Sequence, residues 1–389
     1  MQDKPEYSIS IIVPLYRGAK YMPGMTAQIE ACAKCTPNVC FELVYSNDAP
    51  DDKIKKPDIS SIPSLKIINT AKNRGIHAAR LKGLQKSTGD YILFLDQDDK
   101  ITPEYFRSQL DAIGSADAVI CNALSGGRMK YNVDRPLDKA VSRECMIREG
   151  NMILSPGQVL LRREAIPESW TEKAMAHNGA DDWLLWLCMY SENKTFALNR
   201  EVLFIRELHY RNASFDCLKM EASEREAVEL VEEKGLLCAE EREALRELLP
   251  RLQEKRIKEN EKWKKMFMVL NDWFRICDRG MSVAGYLEAR KVRRAAIYGY
   301  GYLGRTLCGN LEKGNVEVSY IIDKNAAFLE PGKKCHTLDD MLEPVDAVII
   351  TIESADRNAV EDRIKEKLDG QIFWLEDIIF GLSRQLRGQ

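Results

Sequence analysis

Three carboxylates follow one apolar run in this sequence. Residues 91–95 are Tyr, Ile, Leu, Phe and Leu, and Asp96, Asp98 and Asp99 come directly after them. A buried strand ending here would place these acids at its carboxyl end, where open α/β sheets bind ligands, with Asp96 and Asp98 on one face. Such carboxylates repel one another unless a cation or ligand hydroxyls lie between them. A hard divalent ion that bridges a diphosphate fits this chemistry, because Mg²⁺ and Mn²⁺ prefer carboxylate and phosphate oxygens.

A solvated acidic turn explains the same residues without any ligand. Aspartate is favoured just before a helix, and a helix is predicted to begin near Pro103. Four further segments favour the ligand site. Residues 10–16 form a strand stopped by proline, and residues 42–52 form a strand that ends in a second acidic loop. Residues 73–80 lead a helix that carries a basic residue, and residues 178–187 place an acidic pair at a helix start.

In this order and spacing, the segments resemble the family-2 inverting glycosyltransferases with the GT-A fold. The resemblance covers about residues 8–215, just over half of the chain. It implies an α/β fold with a mainly parallel sheet and flanking helices. It also implies transfer of a sugar from a nucleoside diphosphate donor, expected to be a UDP-sugar, to a hydroxyl of a glycan or lipid-linked glycan acceptor. The implied cofactor is Mn²⁺ or Mg²⁺.

The resemblance also gives individual residues a role. Within the donor site, Asp48 would hydrogen-bond the base and Asp96 the ribose, while Asp98 would bind the metal. Two positions depart from the family: Asn47 replaces the first acid of an Asp-Asp pair, and Arg17 stands where Asn is frequent. These departures leave the nucleotide open. The implied donor-binding residues are Pro14, Tyr16, Asp48, Asn73, Gly75, Arg80 and Asp96.

The resemblance also implies a general base and a second metal ligand. Inverting transfer needs one carboxylate that takes the acceptor proton as the hydroxyl attacks. Asp182 matches the family's catalytic acid and Asp181 its more variable neighbour, although Asp is also common at an ordinary helix start. Residues 208–214 resemble the family's His-x-x-Asn-x-Ser turn, so His209 is a candidate metal ligand or a structural histidine. For Arg80, an ion pair with an acid at the edge of the core is the alternative to donor binding.

Three segments with different patterns must position these residues. Residues 1–215 alternate short apolar strands with helices and are predicted to form the glycosyltransferase domain. Residues 216–293 are predicted to be a charged helical connector, because 24 of the 45 residues from 221 to 265 are charged and apolar residues recur at helical spacing. Breaks in this helical region are expected near Gly235 and Pro250. Residues 294–389 are predicted to be a small Rossmann-like domain of uncertain role.

The C-terminal segment carries a glycine motif. Gly299, Gly301 and Gly304 follow a predicted strand and open a predicted helix, and Asp323 ends the next strand. This context is typical of dinucleotide binding, with the pyrophosphate at the helix N-terminus and the acid on a ribose. The segment lacks a recognisable second mononucleotide half and residues for hydride transfer. A packing or assembly module is therefore favoured over a bound NAD-like nucleotide.

The composition of the chain limits which partners and which location in the cell are expected. The 57 basic and 60 acidic residues give a net charge of −3, so no nucleic-acid partner is expected. The sequence has no signal-like N-terminus and no apolar run long enough to span a membrane, so a cytoplasmic protein is expected. A basic stretch that leads into apolar residues, 254–275, suggests either weak attachment to the inner face of the membrane or packing. The packing would be between the two α/β domains or in the seam of a homodimer, and packing is favoured.

Two other classes of function remain as alternatives. One is a nucleotide-dependent oxidoreductase or epimerase centred on the C-terminal segment, and the other is a non-catalytic sugar-nucleotide-binding module. The N-terminal segment supplies nucleotide, metal and base candidates in order, whereas the C-terminal segment supplies only a glycine motif. The glycosyltransferase interpretation is therefore preferred, although the sugar, the acceptor and the linkage are not encoded in any recognisable motif.

Overall fold

The computed structural model describes residues 7–52, 54–57, 62–207, 216–328, 334–354 and 356–387. The chain divides into two compact units, Met1–Arg256 and Ile257–Gln389. The residues of the predicted connector are shared between the two, since the boundary lies inside a long helix.

The first unit contains one large sheet. Its strands are β1 (Tyr7–Leu15), β2 (Val39–Asn47), β3 (Ser64–Asn69), β4 (Tyr91–Phe94), β5 (Lys100–Ile101), β6 (Ala118–Ser125), β7 (Arg128–Met129), β8 (Val159–Arg162) and β9 (Phe196–Arg206). The order across the sheet is β3-β2-β1-β4-β8-β6-β9-β5, with β7 paired to β6. Strands β3, β2, β1 and β4 run parallel, as do β6 and β9, whereas β8 is antiparallel to both of its neighbours. The predicted α/β class with a mainly parallel sheet is confirmed.

Both faces of this sheet are buried. Alternate residues of a strand enter opposite clusters, so that Ile12 packs on one face and Ile11 on the other. This explains the continuous apolar runs of the sequence, which are typical of strands covered by helices on both sides. The predicted stop of this strand at Pro14 is wrong, because β1 continues to Leu15. Pro14 is tolerated inside β1 because β4 ends opposite Ile12, so β4 offers no partner that requires the missing N–H.

Nine helices of the described residues belong wholly or partly to this unit. They are α1 (Met22–Cys35), α2 (Ile76–Lys86), α3 (Tyr105–Ile113), α4 (Leu137–Ala140), α5 (Arg143–Arg148), α6 (Glu168–Thr171), α7 (Asp181–Ser191), α8 (Cys217–Glu233) and α9 (Ala239–Asp278). Helix α7 is buried almost throughout, with Trp183 and Trp186 in the core.

The predicted breaks in the charged region have different outcomes. The break near Gly235 is confirmed, because α8 ends at Glu233 and this glycine has φ of +62°. The break at Pro250 is wrong, because the proline lies inside α9. A proline removes one helical hydrogen bond and crowds the preceding turn. Here Leu248 and Leu252 pack against the core on either side of it and hold the helix direction.

The second unit contains a smaller sheet whose strands all run parallel. Its order is β12-β11-β10-β13-β14, and helices cover both faces. The strands are β10 (Arg294–Tyr298), β11 (Glu317–Ile322), β12 (Cys335–His336), β13 (Ala347–Ile350) and β14 (Gln371–Trp374). The helices are α10 (Val283–Glu288), α11 (Tyr302–Leu311), α12 (Arg357–Lys365) and α13 (Leu375–Arg387).

The basic and apolar stretch of α9 has mixed surroundings. Trp273 and Ile276 are buried in the second unit, whereas Phe267 and Phe274 are exposed. Lys265 forms ion pairs with acids of the same unit, which reduces its free positive charge. Within the described residues, no helix combines the length and apolar character that crossing a membrane would require. The dimer and membrane-surface interpretations of this stretch remain predictions.

Candidate active site

Several predicted site residues meet at one edge of the large sheet. Leu15 and Asn47 are paired at the ends of β1 and β2, and β4 ends beside β1 at Phe94. Because these strands are parallel, Tyr16, Asp48 and Asp96 emerge at the same edge. The sheet topology therefore brings the three acidic and aromatic loops together.

A glutamine missed by the sequence analysis connects two of these loops. The Gln97 side chain accepts a hydrogen bond from the backbone N–H of Tyr16, at 3.0 Å. A Cβ at Gly18 would lie 2.2 Å from the same amide oxygen, so a larger residue there would displace the Gln97 side chain. The Tyr16 ring is half exposed, and the Arg17 guanidinium lies over it, 5.6 Å from the ring centre. Contact of this ring with a nucleotide stays a prediction.

Asp48 organises the loop before α2. Its carboxylate accepts hydrogen bonds from the backbone N–H groups of Arg74 and Gly75, at 2.7–3.0 Å, and from the Thr70 hydroxyl. The side chain is buried. Asp48 therefore has a structural role within the protein, and its contact with a nucleotide base stays a prediction.

The departure at Asn47 has a physical reason. Its buried amide nitrogen donates to the carbonyl oxygens of Ala49 and Asp52 and to the Asn69 side chain, at 3.0–3.1 Å. A carboxylate has no hydrogen to donate, so aspartate at this position would face three acceptors. Asn47 therefore holds the acidic loop in shape.

The start of α2 also depends on an asparagine that the sequence analysis did not single out. Asn178 accepts a hydrogen bond from the backbone N–H of Ile76 at 2.9 Å, and a Cβ at Gly75 would lie 2.5 Å from the same oxygen. Gly75 has φ of +91°, which also favours glycine. Asn73 is exposed, and its side chain accepts from the Gly75 N–H.

Arg80 is the central buried cation of the site. Its guanidinium donates to Asp96 Oδ1 and to Asp181 Oδ2, both at 2.6 Å, and the side chain is 4% exposed. Burial by itself would lower the pKa of this guanidinium, but the carboxylates of Asp181 and Asp96 more than offset it and raise the pKa. The structure thus shows the ion-pair alternative for Arg80, and a contact between Arg80 and the donor remains a prediction.

Asp182 lies beside this ion network at the start of α7. One carboxylate oxygen accepts from the Asn151 amide at 3.1 Å, and the other accepts from the backbone N–H of Trp183 at 2.8 Å. Helix α8 fixes Ala180, the residue before α7, because the Ser223 hydroxyl accepts a hydrogen bond from the Ala180 N–H. The side chain is only partly exposed.

The electrostatics of Asp182 suit a general base. Burial first, and then the negative charge of Asp181, raise the pKa of Asp182 to about 7, although Arg80 acts in the opposite direction. A base is most effective when its pKa lies near the working pH, because it is then both deprotonated and basic enough to take a proton. Asp182 therefore has the properties that the sequence-based prediction requires.

Metal binding at this edge would need oxygens from a ligand as well as from the protein. Within the described part of the chain, no three His, Cys, Asp or Glu side chains are close enough to hold a metal ion, and His209 lies outside it. Asp98 is partly exposed, while burial and the charges of Asp96 and Asp98 raise the pKa of Asp99 well above its usual range. This concentration of negative charge fits a divalent cation that takes Asp98 and diphosphate oxygens as ligands.

The glycine motif of the second unit has an internal use. Gly299 has φ of +95°, and Gly301 precedes α11. Asp323 accepts hydrogen bonds from the backbone N–H groups of Tyr300, at 2.8 Å, and Asn325, at 2.9 Å. The carboxylate that a ribose would need thus ties the glycine loop to the end of β11. Nucleotide binding by Gly299, Gly301, Gly304 and Asp323 remains a prediction.

We expect Gly304→Ala to destabilise the second unit. A Cβ at this position would lie 2.1 Å from the carbonyl oxygen of Gly299, so backbone must move. Overpacking of this kind costs about 1–3 kcal/mol, which thermal unfolding would detect. Gly309→Ala is the matched control on α11, because a Cβ there meets nothing within 4 Å. Equal melting temperatures for Gly304→Ala and wild type would contradict this account.

Residues 10–170 match the family model described as Glycosyl transferase family 2. The dolichol-phosphate mannosyltransferase of Pyrococcus furiosus is 25% identical over 126 residues, which are 31% of this chain and 35% of that protein. The minor teichoic acid biosynthesis protein GgaB of Bacillus subtilis is 31% identical over 111 residues, which are 27% of this chain and 12% of that protein. The chain spans between 33% and 41% of the length of the first curated relatives it matches.

Among solved structures, TarS residues 1–349 of S. aureus in complex with UDP-GlcNAc is similar to this chain. The TM-score is 0.44 at 18% sequence identity, over 62% of this chain and 71% of that chain.

Proposed function

We propose, from the match of residues 10–170 to the Glycosyl transferase family 2 model, that the protein is an inverting, metal-dependent glycosyltransferase. The donor is a nucleoside diphosphate sugar, with UDP as the first candidate nucleotide, and the acceptor is a hydroxyl group of a glycan. The observation that carries the proposal is the Arg80 bridge. It joins Asp96, on the predicted donor side, to Asp181, the neighbour of the predicted base.

Each residue has a defined part in the proposed reaction. Tyr16 and Asp96 hold the nucleoside, and Arg80 keeps Asp96 in place. Asp182 takes the proton of the acceptor hydroxyl while the hydroxyl oxygen attacks the anomeric carbon. The bond from that carbon to the diphosphate oxygen breaks, and the diphosphate leaves with the electron pair. Asp98 and His209 are the residues that would hold a divalent ion, which would supply charge neutralisation at the diphosphate.

The acceptor is proposed to be a bacterial surface glycan or its lipid-linked precursor. The similarity to the teichoic acid protein GgaB supports this class. The similarity covers a small part of that protein, so the sugar and linkage are not carried over. A lipid-linked acceptor would place the reaction at the inner face of the cell membrane, with the protein attached only at its periphery.

A donor screen tests the proposed function. Purified protein would be incubated with UDP-, GDP- and dTDP-sugars, with and without Mn²⁺, and the release of nucleoside diphosphate would be measured. Water can take the place of the acceptor hydroxyl in this reaction, so release of one nucleotide class above the background would identify the donor. The Asp182→Asn variant would serve as the control for contaminating phosphatases. Release that is equal in the variant and the wild type for every donor would contradict the proposal.

We expect Asp98→Ala to remove the effect of Mn²⁺ on donor affinity. Asp98 follows the end of β4 next to Asp96, and its carboxylate is the proposed protein ligand of the metal. Calorimetry with UDP should show affinity at least about tenfold weaker in the variant with Mn²⁺ present, and equal affinities in EDTA. Asp111→Ala, an exposed acid on α3, is the control. Unchanged Mn²⁺-dependent affinity in Asp98→Ala would exclude Asp98 from the metal site.

A further inference from the structure

Asn151 is held at both ends of its side-chain amide. It follows Gly150, which has φ of +91°, in the loop after α5. The amide oxygen accepts from the backbone N–H of Ile153 at 3.0 Å, which closes a local turn. The amide nitrogen donates to Asp182 Oδ2 at 3.1 Å. A residue 31 positions away in sequence thus makes the one side-chain hydrogen bond recorded for the Asp182 carboxylate among the described residues.

We propose that Asn151 is a positioning residue for the general base, a role that rests on the proposed function. Its turn fixes the amide in the loop, and its donated hydrogen bond fixes the orientation of the Asp182 carboxylate. Because an amide carries no charge and does not titrate at neutral pH, it supports the carboxylate without competing for the acceptor proton.

The charges around Asp182 show why an uncharged hydrogen-bond donor matters there. Asp181 on the same helix and Asp96 at the end of β4 both disfavour the ionised carboxylate, whereas Arg80 on α2 favours it. Arg80 is already shared between Asp96 and Asp181. The hydrogen bond from Asn151 therefore stabilises the charged form of Asp182 from outside the ion network, and its loss should raise the pKa of the base.

The Asn151→Asp variant tests the hydrogen bond donated to Asp182 separately from the local turn that Asn151 closes. An aspartate keeps an oxygen that can accept from the Ile153 N–H, but it replaces the donor with a second carboxylate beside Asp182. We expect the acidic limb of the kcat/KM profile for sugar transfer to move upward by at least about one pH unit, equivalent to about tenfold in the proton equilibrium. Activity at pH 6 should fall much more than activity at pH 9, because high pH restores the ionised base.

Asn132→Asp is the matched control. Asn132 closes the same kind of turn, since its amide oxygen accepts from the backbone N–H of Asp134 at 3.0 Å, and the charge change is identical. Its acidic limb should coincide with that of the wild type. Asn151→Ala, checked for folding by thermal unfolding, should shift the limb in the same direction as Asn151→Asp but by less, because it removes the donor without adding a charge.

The outcomes separate this proposal from the proposed function. If the wild type transfers sugar and the acidic limbs of both Asn151 variants coincide with the wild-type limb, Asn151 has no positioning role although the enzyme assignment stands. A uniform loss of kcat at all pH values would likewise contradict the proposal, because it would indicate only structural damage. If the wild type itself transfers no sugar from any donor, the proposed function fails instead.

Discussion

Asp182→Asn is expected to lower the rate of sugar transfer by about 10²–10⁴-fold, the usual contribution of a positioned base. The amide is nearly the same size as the carboxylate but cannot take the acceptor proton. Donor affinity should stay close to that of the wild type, because the donor contacts are assigned to other residues. Single-turnover transfer assays and UDP calorimetry on the same preparations would measure the two effects separately.

The control for this variant is Asp138→Asn. Asp138 is also an acid in the first turn of a helix, α4, and the structure gives it no contact with Asp182. Its rate should be normal. Near-normal turnover by Asp182→Asn would move the base to another group. Asp181 would be the first to test, although its carboxylate is buried and paired with Arg80.

Arg80→Met is expected to lower the free energy of unfolding of the first unit by about 3–5 kcal/mol. The side chain is buried, and its removal would leave the carboxylates of Asp96 and Asp181 near each other without a counter-ion. Urea unfolding followed by tryptophan fluorescence would measure the loss.

Arg225→Met provides the comparison for a surface pair. Arg225 contacts Glu221 at 3.2 Å on α8, and its side chain is 58% exposed. Exposed pairs of this kind contribute about 0–1 kcal/mol, so the variant should unfold nearly like the wild type. Equal stability losses in the two arginine variants would show that the Arg80 bridge adds nothing beyond an ordinary ion pair.

The sequence contained the elements that place the acids of the site. Apolar runs with Asp at their ends predict buried parallel strands, and parallel strands bring their carboxyl ends to one edge. The positions of Tyr16, Asp48 and Asp96 follow from this rule alone. The α7 start with Asp182 was equally visible, because an acidic pair precedes an apolar helix.

The contacts of uncharged amide side chains could not be predicted in the same way. Gln97, Asn151 and Asn178 act through single hydrogen bonds to distant segments, and an amide has no pattern that reveals its partner. The continuity of α9 through Pro250 was missed because local propensity is overridden by packing of its neighbours.

The Arg80 bridge limits how this protein can be recombined with related proteins. A chimera that exchanges only the segment around Asp96, or only α7, would pair Arg80 of one parent with an acid from the other parent. Segments 76–99 and 178–191 should therefore be exchanged as one block, even though about 80 residues separate them in sequence. A designer who replaces the start of α7 on this scaffold would have to replace the loop that carries Asp96 with it.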